Sequence, residues 1–193
     1  MNVVKKLAVV FGILLSATPA SAIPGQTTDE AAAWMQSNPT LRPNRSEKFL
    51  IRRNNTVIQG FSFNASIVPP GRIGKTPINR VIKSETLTLF DMRNGVTIPR
   101  LREAVRSIYG IDIAQDFDQA QIVQTYPSDQ KIAQAVQNRD AQTAALQGEL
   151  RQGERFGYWI EIAQTSNGLA YSGRLTVFLK PDLDKLAAEL KNR

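Results

Sequence analysis

Along this chain the apolar positions recur first at every second residue, then at every third or fourth, and the switches between the two periods mark its elements. Period two governs KFLIRRNNTVIQGFSFNASIVPP. Phe49 and Ile51, then Val57, Phe61, Phe63, Ala65 and Ile67, stand between polar neighbours there. That pattern predicts two strands with a turn at Asn54-Asn55, stopped by Pro69-Pro70, with Gly60 marking a bulge. A third strand is expected over Ser84–Met92, ended by Asn94-Gly95, and a short one in AQIVQTYP.

The helical period appears in four places. TTDEAAAWMQSN opens with Thr27 and Glu30 at the capping-box spacing and closes at Pro39, with Trp34 as a packing anchor. TIPRLREAVRSIYG has Thr97 as cap, Pro99 in the first turn and Gly110 as stop, and Leu101, Ala104, Val105 and Ile108 form one stripe. Ser128–Gln152 is Gln- and Ala-rich, with a thin stripe of Ile132, Val136, Leu146 and Leu150, and is expected to be a helix partly exposed or broken near Asn138. The C-terminal PDLDKLAAELKNR carries Leu183, Leu186, Ala187 and Leu190 on one side.

GYWIEIAQTSNGLAYSGRLTVFLK is expected to be a hairpin, because Asn167-Gly168 is a strong two-residue turn signal. A turn there sets Ser166 opposite Leu169, Gln164 opposite Tyr171, Ile160 opposite Leu175 and Tyr158 opposite Val177. On the other side of the pleat, Glu161 meets Arg174 as a favourable cross-strand pair. Trp159 and Phe178 fall on that more polar side. Either the leucine stripe that follows covers them or they form an aromatic contact surface.

Strands clustered in antiparallel pairs with helices between them predict an α+β fold, an antiparallel sheet of about five to six strands with helices packed mainly on one face. The first 22 residues change the picture of where it works. Lys5 and Lys6, the apolar run Leu7–Ala17 and Ala20-Ser21-Ala22 form the three-part pattern of a secretory signal peptide cleaved before Ile23. That run is shorter than the roughly 20 residues needed to cross a bilayer, and no later run is long enough, so no transmembrane anchor is expected after cleavage. Residues 23–193 then form a single domain in the periplasm or an equivalent extracytoplasmic lumen. Cleavage leaves 22 basic residues against 17 acidic ones, a net charge of +5.

The chain has no His and no Cys. Catalytic triads with histidine, cysteine nucleophiles and zinc sites built on these ligands are excluded. Carboxylate pairs, Ser-Lys chemistry and oxygen-ligated metals stay open. Asp112, Asp116 and Asp118 gather in GIDIAQDFDQA, read as an acidic loop in which Asp116 and Asp118 are the candidate acid and base. Gln119-Ala120 supplies neither the further ligand nor the glycine of an EF-hand calcium loop. PPGRIGKTPINR places Gly71 two positions too late for a phosphate loop and follows Thr76 with Pro77, so it reads as a basic loop.

That loop puts Arg72, Lys75, Arg80 and Lys83 within 12 residues, and the next helix adds Arg102 and Arg106. Together they are the candidate surface for an anionic partner. No cofactor or metal is expected, and no nucleic-acid-binding motif occurs. The leading expectation is an exported, non-catalytic accessory or binding protein of the bacterial cell envelope, acting through another envelope protein or an anionic envelope polymer. The alternatives are a carboxylate-dependent hydrolase using Asp116 and Asp118, or a small-ligand carrier with an apolar pocket.

Overall fold

The computed structural model describes residues 24–44, 46–71, 79–165 and 167–191. The signal-peptide pattern, Arg72, Lys75 and Ser166 lie outside the described residues. The elements run α1 (Thr28–Ser37), β1 (Leu50–Thr56), β2 (Gln59–Ser66), β3 (Ser84–Asp91), α2 (Ile98–Tyr109), α3 (Ile111–Gln119), β4 (Gln121–Tyr126), α4 (Asp129–Gln137), α5 (Ala141–Ala145), β5 (Leu146–Gln152), β6 (Phe156–Gln164), β7 (Ala170–Leu179) and α6 (Leu183–Leu190), with a short 3-10 turn, Lys180–Asp182, before α6. The fold is α+β. One sheet of seven strands, rather than five or six, runs in the order β1-β2-β3-β7-β6-β5-β4, every neighbour antiparallel.

The helix signals act through their expected groups. Thr27 and Glu30 close a reciprocal capping box on α1. The Thr97 hydroxyl accepts the Arg100 N–H at the start of α2, and Gly110 ends it at φ 88°. That left-handed backbone lets α3 begin at once.

Four sequence expectations need correction. The first turn lies at Val57-Ile58, not Asn54-Asn55; both asparagines stay in β1, and the register slips between Asn54 and Thr56, beside Gly60. GIDIAQDFDQ is helix α3, not a loop, because Ile113, Ala114 and Phe117 recur at helical spacing and are buried. The expected helix over Ser128–Gln152 is broken at Asn138, as the pattern suggested, and resumes as α5, but its last part, Leu146–Gln152, is strand β5. In LQGELRQ the apolar side is Leu146, Gly148 and Leu150, a period of two masked by good helix formers. Pairing of Leu150 with Trp159 overrides their propensity.

The hairpin turn is also different. Thr165 N–H donates to the Leu169 carbonyl and Gly168 N–H to the Thr165 carbonyl, with Gly168 at φ 82°. That is the three-residue loop closed by a left-handed glycine. Asn167 does not take the positive φ that a two-residue turn demands; among the described non-glycine residues only Arg42 and Arg139 do. Gln164 therefore pairs with Ala170, not Tyr171. A one-residue bulge beyond Ala163 then restores the expected register, Ile160 with Leu175 and Tyr158 with Val177.

The pleat separates two hydrophobic clusters. The larger joins Ala31, Trp34 and Met35 of α1, Leu101 and Val105 of α2, and Ile113 and Phe117 of α3 with strand residues such as Ile51, Phe63, Leu87, Leu175 and Ile160. Gly173 allows α2 to approach, since a Cβ there would stand 2.6 Å from a Val96 methyl. The smaller joins Leu183, Leu186 and Leu190 of α6 with Tyr126, Leu150, Trp159 and Phe178. These strand residues occupy the opposite side of the pleat.

Candidate functional site

Following the register across the second side of the sheet gives one transverse row through all seven strands. It runs Arg52, Ser62, Thr88, Arg174, Glu161, Gly148, Tyr126, each residue the direct partner of the next. Because cross-strand partners project to the same face, the row is a line at right angles to the strands, polar except at Gly148. Arg52 and Arg174 are three strand steps apart, roughly 14 Å. The adjoining row carries Asn54, Gly60, Phe90 and Ser172.

The right-hand end of the row is built by a chain of buried hydrogen bonds. Trp159 Nε1 donates to the Tyr126 hydroxyl at 2.5 Å, which in turn donates to Glu161 Oε1 at 2.6 Å. Glu161 is 5 % exposed, and its other oxygen holds Arg174. The Arg174 guanidinium also lies 5.1 Å from the centre of the Trp159 ring, a cation–π distance, while its side chain stays 44 % exposed. Burying Glu161 is tolerable because it is paired with a cation and accepts a hydroxyl. Gly148 makes this arrangement possible, since a Cβ there would stand 2.0 Å from the Tyr126 ring.

Two depressions flank Thr88 on this side. One, of about 610 Å³, is lined by Arg52, Asn54, Gln59, Ser62, Thr88 and Phe90, among others. The other, of about 290 Å³, is lined by Thr88, Leu146, Glu161, Ala163, Ser172 and Arg174. Phe90 meets Tyr171 edge to face at 6.2 Å. The lining mixes hydroxyl, amide and guanidinium groups with apolar Val57, Phe61, Phe90, Leu146 and Ala163, and its one carboxylate is the buried and paired Glu161. A third cavity, lined in part by Ile98, Ile132 and Ile162, holds about 270 Å³.

The cations singled out in the sequence go elsewhere. Arg80 is exposed before β3 and Lys83 half-buried at its start. Arg102 is held by Asp118 at 2.6 Å, and Arg106 lies 3.9 Å from Glu103. No contact joins Arg80 or Lys83 to Arg102 or Arg106 among the described residues. Trp159 and Phe178 are buried in the α6 cluster, 7 % and 0 % exposed, rather than presented as a contact surface. Arg52, Ser62 and Thr88 went unnoticed in the sequence. Their signal was there as the polar half of the alternation in RRNNT, SFNAS and TLTLF.

The aspartates of α3 are occupied. Asp116 is buried and accepts the backbone N–H groups of Glu154, Arg155 and Phe156 at 2.7, 3.1 and 3.3 Å, and the Tyr158 hydroxyl at 2.6 Å. It pins α3 to the β5–β6 turn. Asp118 faces Arg102, whose guanidinium lowers its pKa. Asp91 is likewise depressed, first by the Asn94 N–H and also by Arg100, and ties the end of β3 to α2. Among the described residues no three carboxylates gather as a cation site.

Glu85 is the exception. It lies in β3 on the side of the larger cluster, 1 % exposed, and its carboxylate and the Tyr109 hydroxyl interact with each other but make no hydrogen bond of ordinary geometry among the described residues. Burial pushes its pKa up to about 8, against a weaker downward pull from Tyr109. Burial and Glu85 together raise the Tyr109 pKa well above its ordinary value.

Comparison with known protein families, with curated proteins and with solved structures returns no match.

Proposed function

We propose that this is an exported, non-catalytic binding protein of the bacterial cell envelope, and that it holds an envelope partner on the polar side of its sheet. The helices are read as packed mainly on one side: α1, α2 and α3 share the larger core, whereas α6 reaches only the Phe178 end of the other. The observation that carries the reading is the row from Arg52 to Arg174, which presents two guanidinium groups and two hydroxyls and joins neither hydrophobic cluster among the described residues. Its cations favour an anionic partner, in keeping with the basic balance of the chain.

The leader supports export, and the occupied state of Asp116 and Asp118 supports binding over hydrolysis. The test is capture from intact cells by crosslinking and purification of the tagged protein, beside Ser62→Glu, which places an acid in the middle of the row. The expected result is a mature N-terminus at Ile23 in the extracytoplasmic fraction and an envelope component whose capture Ser62→Glu abolishes. Recovery in the cytoplasm, or capture unaltered by the variant, overturns the reading.

A further inference from the structure

We infer that the occupant of this row is a linear acidic polysaccharide laid at right angles to the strands, with carboxylates seated on Arg52 and Arg174 and sugar hydroxyls on the groups between them. The inference rests on the binding reading above and names the ligand class.

Three observations lead to it. First, β2, β3 and β7 are each paired on both edges over this region, so their backbone N–H and C=O groups are engaged in the ladders. An extended peptide recognised by strand addition needs an open edge and finds none on the face of a sheet. Recognition here falls to side chains. Second, the uncharged polar side chains there, Ser62, Thr88, Ser172 and Asn54 among them, are hydroxyls and amides, which both donate and accept, set beside apolar Phe61, Phe90 and Leu146. A polyol offers the same two-way chemistry at every unit, whereas an acidic peptide offers acceptor carboxylates and an already hydrogen-bonding backbone. Third, charge is placed only at intervals. Arg52 stands at one end, Arg174 roughly 14 Å away, and the one carboxylate of the two depressions is turned into the hydrogen-bond chain with Tyr126.

Arg174 is the more ordered of the two anchors. Glu161 and the Trp159 ring fix its guanidinium before any ligand arrives, which lowers the ordering cost of binding. Phe90, in the adjoining row, offers an apolar ring surface beside the track, suited to the C–H face of a sugar.

The experiment is titration calorimetry of the purified protein against polygalacturonate, a neutral dextran and poly-glutamate, repeated with Arg52→Gln and with Ser62→Glu. Circular dichroism on both variants checks that they are folded. The expected result is binding of polygalacturonate at least about tenfold tighter than either control, weakened about tenfold by Arg52→Gln and abolished by Ser62→Glu. Equal binding of poly-glutamate means that charge alone is read, and overturns the inference. So does binding that both variants leave intact, which would put the polymer elsewhere. Should no polysaccharide bind while Ser62→Glu still abolishes capture in cells, the ligand class fails and the binding face stands. If the variant leaves capture unchanged, both fall.

Discussion

Glu85 and Asp116 show how differently one carboxylate and another can be buried. An unfolded glutamate releases its proton near pH 4.5, whereas Glu85 in the fold holds it to about 8. Between those values the folded chain carries a proton that the unfolded chain has lost. Its contribution to stability therefore falls as pH rises through that window, by up to about 1.4 kcal/mol per pH unit, and levels off on either side. Glu85→Gln removes the ionisation while keeping the shape. Urea unfolding across this range should show a smaller decline in stability for the variant than for the parent, and parallel curves would refute the placement of Glu85. Asp116 instead has its acceptors filled, by three N–H groups and a hydroxyl. Asp116→Ala should cost about 3 kcal/mol or more in the same assay, because the turn donors are left unpaired in a buried place. Asp118→Asn, which loses only an exposed pair with Arg102, should cost far less.

At the scale of elements, the segments whose local and long-range demands agree were legible. α2 has cap, proline, stripe and stop in sequence, and the β6–β7 register beyond Ala163 matches the one set from the turn and the apolar pattern because the bulge offsets the different turn. β5 was not legible, because its residues favour helix and only the neighbouring β6 makes Leu150 an inward position. α3 was hidden by its acids, one of which is buried to hold a turn 38 residues away. The binding row could not be read as a row, since its members come from strands whose order the sequence does not state, although the Glu161–Arg174 pair within it was visible. Gly148 is the residue on which that end of the row depends. Gly148→Ala should push the Tyr126 ring off β5, break the Trp159–Tyr126–Glu161 chain, and change the near-ultraviolet dichroism and emission of Trp159, with a stability loss of about 1–3 kcal/mol. An unchanged Trp159 signal would contradict the close packing at Gly148.

For the molecule as a whole, the two sides of the sheet carry separate hydrophobic clusters among the described residues, the larger holding residues of α1, α2 and α3 and the smaller those of α6. The row's two cations, Arg52 and Arg174, belong to neither cluster, and the register sets Arg52, Ser62 and Thr88 side by side across three strands. The most direct test of that face as the working surface is photo-crosslinking in intact cells, with a photoreactive side chain introduced once in place of Ser62 and once in place of the exposed Ser107 on α2. Covalent envelope adducts are expected from position 62 and not from position 107. Adducts from 107 alone, or from neither position, would contradict the assignment of this sheet face as the binding surface.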